Sequence, residues 1–330
     1  MFHTILQQKP KNIAISATPD HHIDVSEVPM PTPCPDECLI HIRATGICGS
    51  DVHMWKDGHI GDSFLTENCG LGHESAGIVI GTGANVQHLS IDVVFFSAPP
   101  IDGTLRRYHV HPAAWLHKLP DGMSLEEGAL LEPLSVALAG IDRANLRLGD
   151  PLLICGAGPI GMITLLAAHA AGAAPIAITD IDEHRLSVAR MLVPRVRTVH
   201  VKPGQEPKGI AEDVKRVLDC EAKLVLECTG VESSVHSGIY AAKFGGSVFI
   251  IGVGRPMQTI PFMHASFREI DVRFQFRYHE TYPKAIRLVA EGLIDLKPLV
   301  THRFCLEEGK AAFEAASTPA AKAIKVQLID

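Results

Sequence analysis

From residue 150 onward, short apolar runs alternate with stretches whose apolar residues recur at three- and four-residue spacing. The runs at 152–155, 175–179, 198–201, 224–227, 248–251 and 272–276 read as strands, and the segments joining them as helices. This alternation predicts a doubly wound parallel sheet, α/β in class, with helices on both faces. The first hundred residues read differently. Short apolar or alternating runs at 12–16, 37–44 and 75–81 are separated by Pro and Gly clusters such as PMPTPCPDE, which predicts a β-rich, irregular module. From Leu125 the string EEGALLEPLSVALAGIDRA carries helical spacing. After Arg277 come a helix at 282–291, a strand-like THRF, a helix at 306–315 and a terminal strand, AIKVQLI. That tail is too short for a domain and is expected to return to the N-terminal module. No internal repeat, low-complexity tract or flexible linker is apparent.

One stretch imitates a membrane span. Residues 151–179 contain no Asp, Glu, Lys or Arg, which by length alone would suffice. Glycines and prolines cut it into PLLIC, GAGPIG, MITLLAAHAAG and AAPIAIT, so a buried strand, turn, helix and strand explain it better. The length of 330 residues fits about two domains. With 30 basic against 37 acidic residues, the net charge of −7 gives the chain no electrostatic reason to seek nucleic acid or anionic lipid. The eight cysteines form no C-x-x-C pair and MFHTILQQKPKN has no apolar core of signal length, so a reducing, cytoplasmic setting is expected.

Gly156, Gly158 and Gly161 form G-x-G-x-x-G between an apolar strand and a helix. The first glycine permits a tight turn, the second lets a pyrophosphate approach the backbone, and the third allows close helix–strand packing. Asp180 stands 19 residues beyond Gly161, at the end of the next strand. A carboxylate there accepts hydrogen bonds from ribose hydroxyls and repels a 2′-phosphate, which favours NAD over NADP. Arg185 weighs slightly the other way, unless it is a solvated helix charge.

Two further strings, GICGSDVH and LGHESAG, supply Cys48, His73 and Glu74. A catalytic zinc takes about three N, S or O ligands and keeps one position open. Neighbours on a strand point to opposite faces, so His73 and Glu74 could share an ion only if the backbone turns beside them. Gly72 is placed to make that turn.

Together these segments resemble the zinc-dependent medium-chain alcohol dehydrogenases, in the polyol branch that includes sorbitol, xylitol and L-arabinitol dehydrogenases. The strings that carry the resemblance are GICGSDVH, GHESAG, LEPLSVALAG, GAGPIG, TDID, LECTGVESS, FGGSVFIIGVG and QFRY. They span most of the chain, and details such as ITDIDEHRL, LVTHRF and AIKVQL are most similar to the L-arabinitol-oxidising members. The resemblance implies a GroES-like catalytic domain from 1–135 and 275–330, enclosing a Rossmann NAD-binding domain at 136–274. It implies one catalytic zinc per chain on Cys48, His73 and Glu74, with Glu132 binding the metal directly or through its water. Ser50 matches the hydroxyl that starts proton relay from the alcohol. Gly156, Gly158, Pro159, Ile160, Gly161, Asp180, Arg185, Ile251, Gln275, Phe276 and Arg277 fall where such enzymes touch NAD. Arg277 and Tyr278 match residues that hold polyol hydroxyls, and Met54 sits at a substrate-wall position or serves as a core filler.

The implied reaction is oxidation of a polyol's secondary alcohol to the ketose, first L-arabinitol to L-xylulose, with xylitol or D-sorbitol as alternatives. The implied assembly is a homo-oligomer, a tetramer by resemblance. One departure stands out. Relatives usually carry a lobe with four closely spaced cysteines binding a second zinc, whereas here 83–91 runs straight into Asp92-Val-Val-Phe-Phe and no cysteines have that spacing. No structural zinc is therefore expected. A nucleotide-binding protein inactivated by this deletion is the competing reading.

Overall fold

In the computed structural model, which describes residues 8–86 and 101–330, the uncharged stretch at 151–179 becomes strand Leu152–Cys155, helix Pro159–Ala170 and strand Ile176–Asp180. Among the described residues no helix is long and apolar enough to cross a membrane. These elements open a six-stranded, all-parallel sheet. Its order is Arg197–His200, Ile176–Asp180, Leu152–Cys155, Ala222–Glu227, Ala242–Ile250, Asp271–Phe274. The order reverses between Leu152–Cys155 and Ala222–Glu227, the switch point where open α/β sheets bind ligands beyond their carboxyl ends. The strands need apolar residues on both faces, since helices cover each, and all four residues of Leu152–Cys155 are buried. Helix Pro207–Leu218 shows the complementary pattern, burying Ile210, Ala211, Val214 and Leu218 on one side. Leu153, Ala177, Val214, Val225, Ile239 and Val248 join in one apolar cluster.

Strand Ala242–Ile250 begins six residues earlier than the apolar run predicts, because its polar start (AKFGGS) still pairs beside Ala222–Glu227 through a register shift.

The remaining strands form a β-rich unit. One sheet runs Val300–Cys305, Lys325–Ile329, Glu37–Gly46, Glu74–Thr82, with Tyr108–Pro112 also paired to Glu37–Gly46. A second joins Ile23–Val28, Asn12–Ala17 and Cys69–Gly70. The tail therefore completes the N-terminal sheet. Asp330 secures it through hydrogen bonds with His41 Nε2 (2.8 Å), Arg107 Nε (3.0 Å) and Lys9 Nζ (2.8 Å).

Contacts divide the chain into Met1–Glu132 with Val300–Asp330, and Pro133–Leu299. The second boundary falls at Val300, not at the 275 the resemblance implies. Residues beyond 275 are tied to helix Leu131–Ala144: Gln275 Nε2 donates to Val136 O (2.8 Å), Thr281 Oγ1 to Ser135 O (3.2 Å), and Lys284 pairs with Asp142 (2.6 Å). The expected loss of the structural-zinc lobe concerns a segment that passes Val86 and lies largely outside the described residues.

Candidate active site

Cys48 ends the loop after strand Glu37–Gly46 and precedes helix Gly49–Asp57. His73 and Glu74 follow Gly72, whose φ of +90° turns the backbone in the way the sequence requires. The strand starts at Glu74, so His73 lies before it and both side chains reach one place. The ligand atoms of Cys48, His73 and Glu74 lie within 4.8 Å of one another, and this is the one such group among the described residues. Around a tetrahedral zinc with bonds of about 2.0–2.3 Å, ligand atoms sit under about 4 Å apart. Small side-chain shifts would therefore close the cluster on an ion. Glu74 Oε1 is buried and accepts no hydrogen bond, so one oxygen of this carboxylate has room for a metal beside the cation held at the other. The thiol, imidazole and carboxylate are also a donor set suited to zinc.

Two residues that the motif reading did not single out complete this centre. Asp51, 1% exposed, accepts hydrogen bonds from Gly72 N–H (2.9 Å) and Cys48 N–H (3.0 Å), and its Oδ1 lies 3.7 Å from His73 Nδ1. One carboxylate thereby positions two candidate ligands and turns His73 Nε2 toward Ser50 Oγ, 3.3 Å away. Asp51 stands inside GICGSDVH, so its i+3 spacing from Cys48 was a usable capping signal. Lys325 forms a buried ion pair with Glu74 and donates to Ile47 O at 3.0 Å. No local signal marks it, because the pair crosses three strands. Gly46, opposite Glu74 in the sheet, leaves room for it: a Cβ there would fall 2.1 Å from Glu74 Oε2 and 2.8 Å from Lys325 Cε.

The charges of this centre act on one another. Burial, and next the Glu74 carboxylate, push the Cys48 thiol up to about 11. Burial acts to lower the Lys325 pKa, but Glu74, Cys48 and Glu132 overcome it and raise the value, so the ammonium stays charged. Glu132 is buried at the start of helix Leu131–Ala144 and lies outside the three-residue cluster.

The glycine turn in Pro133–Leu299 is equally constrained. Gly156 has φ +95°, and a Cβ there would lie 2.5 Å from Thr229 Cγ2. A Cβ on Gly161 would meet Gly156 O at 1.8 Å, whereas one on Gly158 would meet nothing within 4 Å. The first and third glycines are thus required by packing, and the second faces open space. Gly158 caps helix Pro159–Ala170 without a side-chain bond, leaving the helix N-terminus available to a phosphate. Asp180 accepts hydrogen bonds from Ala157 N–H (2.7 Å) and Asp182 N–H (2.8 Å), which fixes its carboxylate against the turn.

The other candidates are placed as follows. Pro159 and Ile160 are half-buried in the first helical turn, and Arg185 is half-buried on helix Glu183–Leu192. Ile251 is buried, its N–H donating to Glu227 O at 2.8 Å. Phe276 is 82% exposed, with the Arg277 guanidinium 5.7 Å from its ring centre. Arg277 has φ +55°, and the Tyr278 and Tyr282 rings lie 5.6 Å apart. Met54 is buried in the apolar cluster with Ile15, Leu71 and Phe313, a core-filling environment.

Comparison with known proteins agrees with both halves. Residues 34–121 match the alcohol dehydrogenase GroES-like domain, and residues 159–291 match the zinc-binding dehydrogenase domain. The chain is 51% identical over 329 residues to L-arabinitol 4-dehydrogenase of Penicillium rubens, covering 89% of this chain and 85% of that protein. It is 40% identical over 333 residues to sorbitol dehydrogenase of Homo sapiens, covering 93% of each. The crystal structure of ECK1772, an oxidoreductase/dehydrogenase from Escherichia coli, superposes with a TM-score of 0.84 at 30% identity, covering 97% of this chain and 99% of that one. A GroES-like unit, a Rossmann-type unit and a thiol–imidazole–carboxylate cluster occur here in one chain, and the chain belongs to the zinc-binding alcohol dehydrogenase family.

Proposed function

We propose that this protein oxidises a secondary alcohol of a sugar alcohol to the ketose, with NAD as acceptor and one catalytic zinc per chain. L-arabinitol, giving L-xylulose, is the first candidate, followed by xylitol and D-sorbitol. The observation that carries the reading is the Cys48, His73, Glu74 cluster, oriented from behind by Asp51. The similarity to polyol dehydrogenases at 40–51% identity selects the substrate class.

When bound, zinc would supply Lewis acidity and the oxidised nicotinamide a hydride acceptor. Cys48, His73 and Glu74 would hold the metal, and Asp51 keeps His73 in one orientation. Glu132 adds negative charge close enough to act on Lys325. Ser50 Oγ, already beside His73, would take up the alcohol proton and pass it outward. Arg277 and Tyr278 would hold the remaining polyol hydroxyls. Gly156, Gly158 and Gly161 would seat the pyrophosphate, and the anchored Asp180 would accept the ribose hydroxyls and disfavour a 2′-phosphate.

A homo-oligomer is part of the proposal. Among the described residues strand Asp271–Phe274 ends its sheet with one side unpaired, and Phe274, Met257, Phe262 and Phe267 are exposed in the same unit. A cytosolic setting fits the unpaired thiols.

The test combines metal analysis with NADH production on L-arabinitol, xylitol, D-sorbitol and a primary alcohol. One zinc per chain with NAD-dependent turnover of the polyols is expected. Dinucleotide binding with neither zinc nor turnover would instead identify an inactivated relative.

A further inference from the structure

Glu227 ends the central strand Ala222–Glu227, beside the switch point of the six-stranded sheet, and its relative exposure is 0%. Four donors converge on its carboxylate, the pattern expected around an anion. Oε1 accepts from Thr229 N–H (2.9 Å), the Thr229 hydroxyl and Ser234 Oγ–H (2.9 Å), and Oε2 accepts from Gly230 N–H (2.8 Å). Among the described residues no Lys, Arg or His forms an ion pair with it. The Glu227 carbonyl also receives Ile251 N–H (2.8 Å) and Gly252 N–H (2.9 Å), so one residue clasps the turns that end two neighbouring strands. These turns are pressed together: a Cβ on Gly252 would lie 2.2 Å from Gly230 N, and one on Gly254 would lie 1.9 Å from Gly230 O. Thr229, held by the carboxylate, in turn packs on Gly156.

This inference rests on the dinucleotide reading given above. The glycine turn and Asp180 occupy one side of the switch point, which assigns that side to the adenosine half. The nicotinamide half must then cross to the ends of Ala222–Glu227 and Ala242–Ile250. We propose that Glu227 is a positioning residue whose buried charge biases the site toward the oxidised cofactor. The oxidised nicotinamide ring is cationic and the reduced ring neutral, so a carboxylate without a paired cation below that half of the crevice attracts one form only. The neutral reduced ring gains nothing from that charge, so the preference between the two redox forms is set from this position.

The experiment measures Kd for NAD+ and for NADH with zinc-loaded wild-type, Glu227→Gln and Ser234→Ala proteins, each first checked for cooperative melting. Glu227→Gln keeps the shape and removes the charge. It is expected to weaken NAD+ on the order of fivefold more than NADH. Ser234→Ala removes one neutralising donor and is expected to move the ratio the opposite way, on the order of twofold. A purely structural Glu227 would weaken both cofactors by one factor and leave Ser234→Ala without effect on the ratio, which overturns the inference. Should Glu227→Gln fail to melt cooperatively, the direction of the Ser234→Ala shift decides. Wild-type protein that binds neither dinucleotide overturns the cofactor reading itself, an outcome distinct from an unchanged ratio.

Discussion

At Asp51 one buried carboxylate reaches three groups: the Cys48 and Gly72 amides by hydrogen bonds and the His73 ring, whose Nδ1 lies 3.7 Å from its Oδ1. Partners behind a ligand set its orientation and basicity, and losing one typically costs about 10–100-fold in metal affinity. Asp51→Asn is therefore expected to weaken zinc by about that factor in a chelator competition, with the fold retained. Lys325 makes a different prediction. Lys325→Met leaves Glu74 buried beside Cys48 with no cation, and removing one member of a buried pair costs about 3–5 kcal/mol. Urea unfolding of metal-free protein should show that loss, and added zinc should restore part of it by supplying the missing positive charge. Equal stability of the two metal-free proteins would show that Glu74 does not depend on Lys325. Of these two residues, Asp51 was within reach of motif reading. Lys325 was not, since strand pairing alone brings position 325 beside position 74.

At the scale of elements, strand Lys325–Ile329 lies between Glu37–Gly46 and Val300–Cys305, and the bonds at Asp330 hold its end. Burial alone would raise the Asp330 pKa, but hydrogen bonds from His41, Arg107 and Lys9 and the charge of Arg107 hold it well below the usual carboxylate range. A carboxylate depressed in the folded state adds stability above its unfolded pKa of about 3.9, and that stability drains away as pH falls toward the folded value. Asp330→Asn is expected to cost roughly 1–3 kcal/mol at pH 7 and to flatten the acid limb of stability below about pH 4. Parallel acid limbs in chemical denaturation would contradict this. The strands and helices of the parallel sheet were legible because each apolar run is local, and two of them run directly into Gly156 and Gly252. The early start of Ala242–Ile250 was not, since polar residues there pair only because a neighbouring strand lies alongside.

At the scale of the whole molecule, the two units are unequal in their dependence on chain order. Pro133–Leu299 is continuous and holds its own apolar cluster. Met1–Glu132 lacks two strands of its main sheet until Val300–Asp330 arrives. The fragment 133–299 is thus expected to fold alone and bind NAD, as circular dichroism and NADH fluorescence would report. Residues 1–132 alone should remain without a cooperative transition, their Ile15, Met54, Leu71 and Leu105 side chains lacking the Phe313 and Leu328 side chains that close the core. A cooperative melt of 1–132 would show that the tail is dispensable.

The sequence by itself determined the class of fold, the glycine turn with its carboxylate, and the three candidate metal ligands, because periodicity and motif spacing are properties of neighbouring residues. It also indicated that the tail returns to the first unit. Tertiary structure decided the boundary at Val300, the anchoring role of Asp51, the pairing of Lys325 with Glu74, and the four donors around Glu227. The boundary depends on which segments pack together, and the other three depend on charge or hydrogen bonding in a buried setting, which exists only once distant segments have packed.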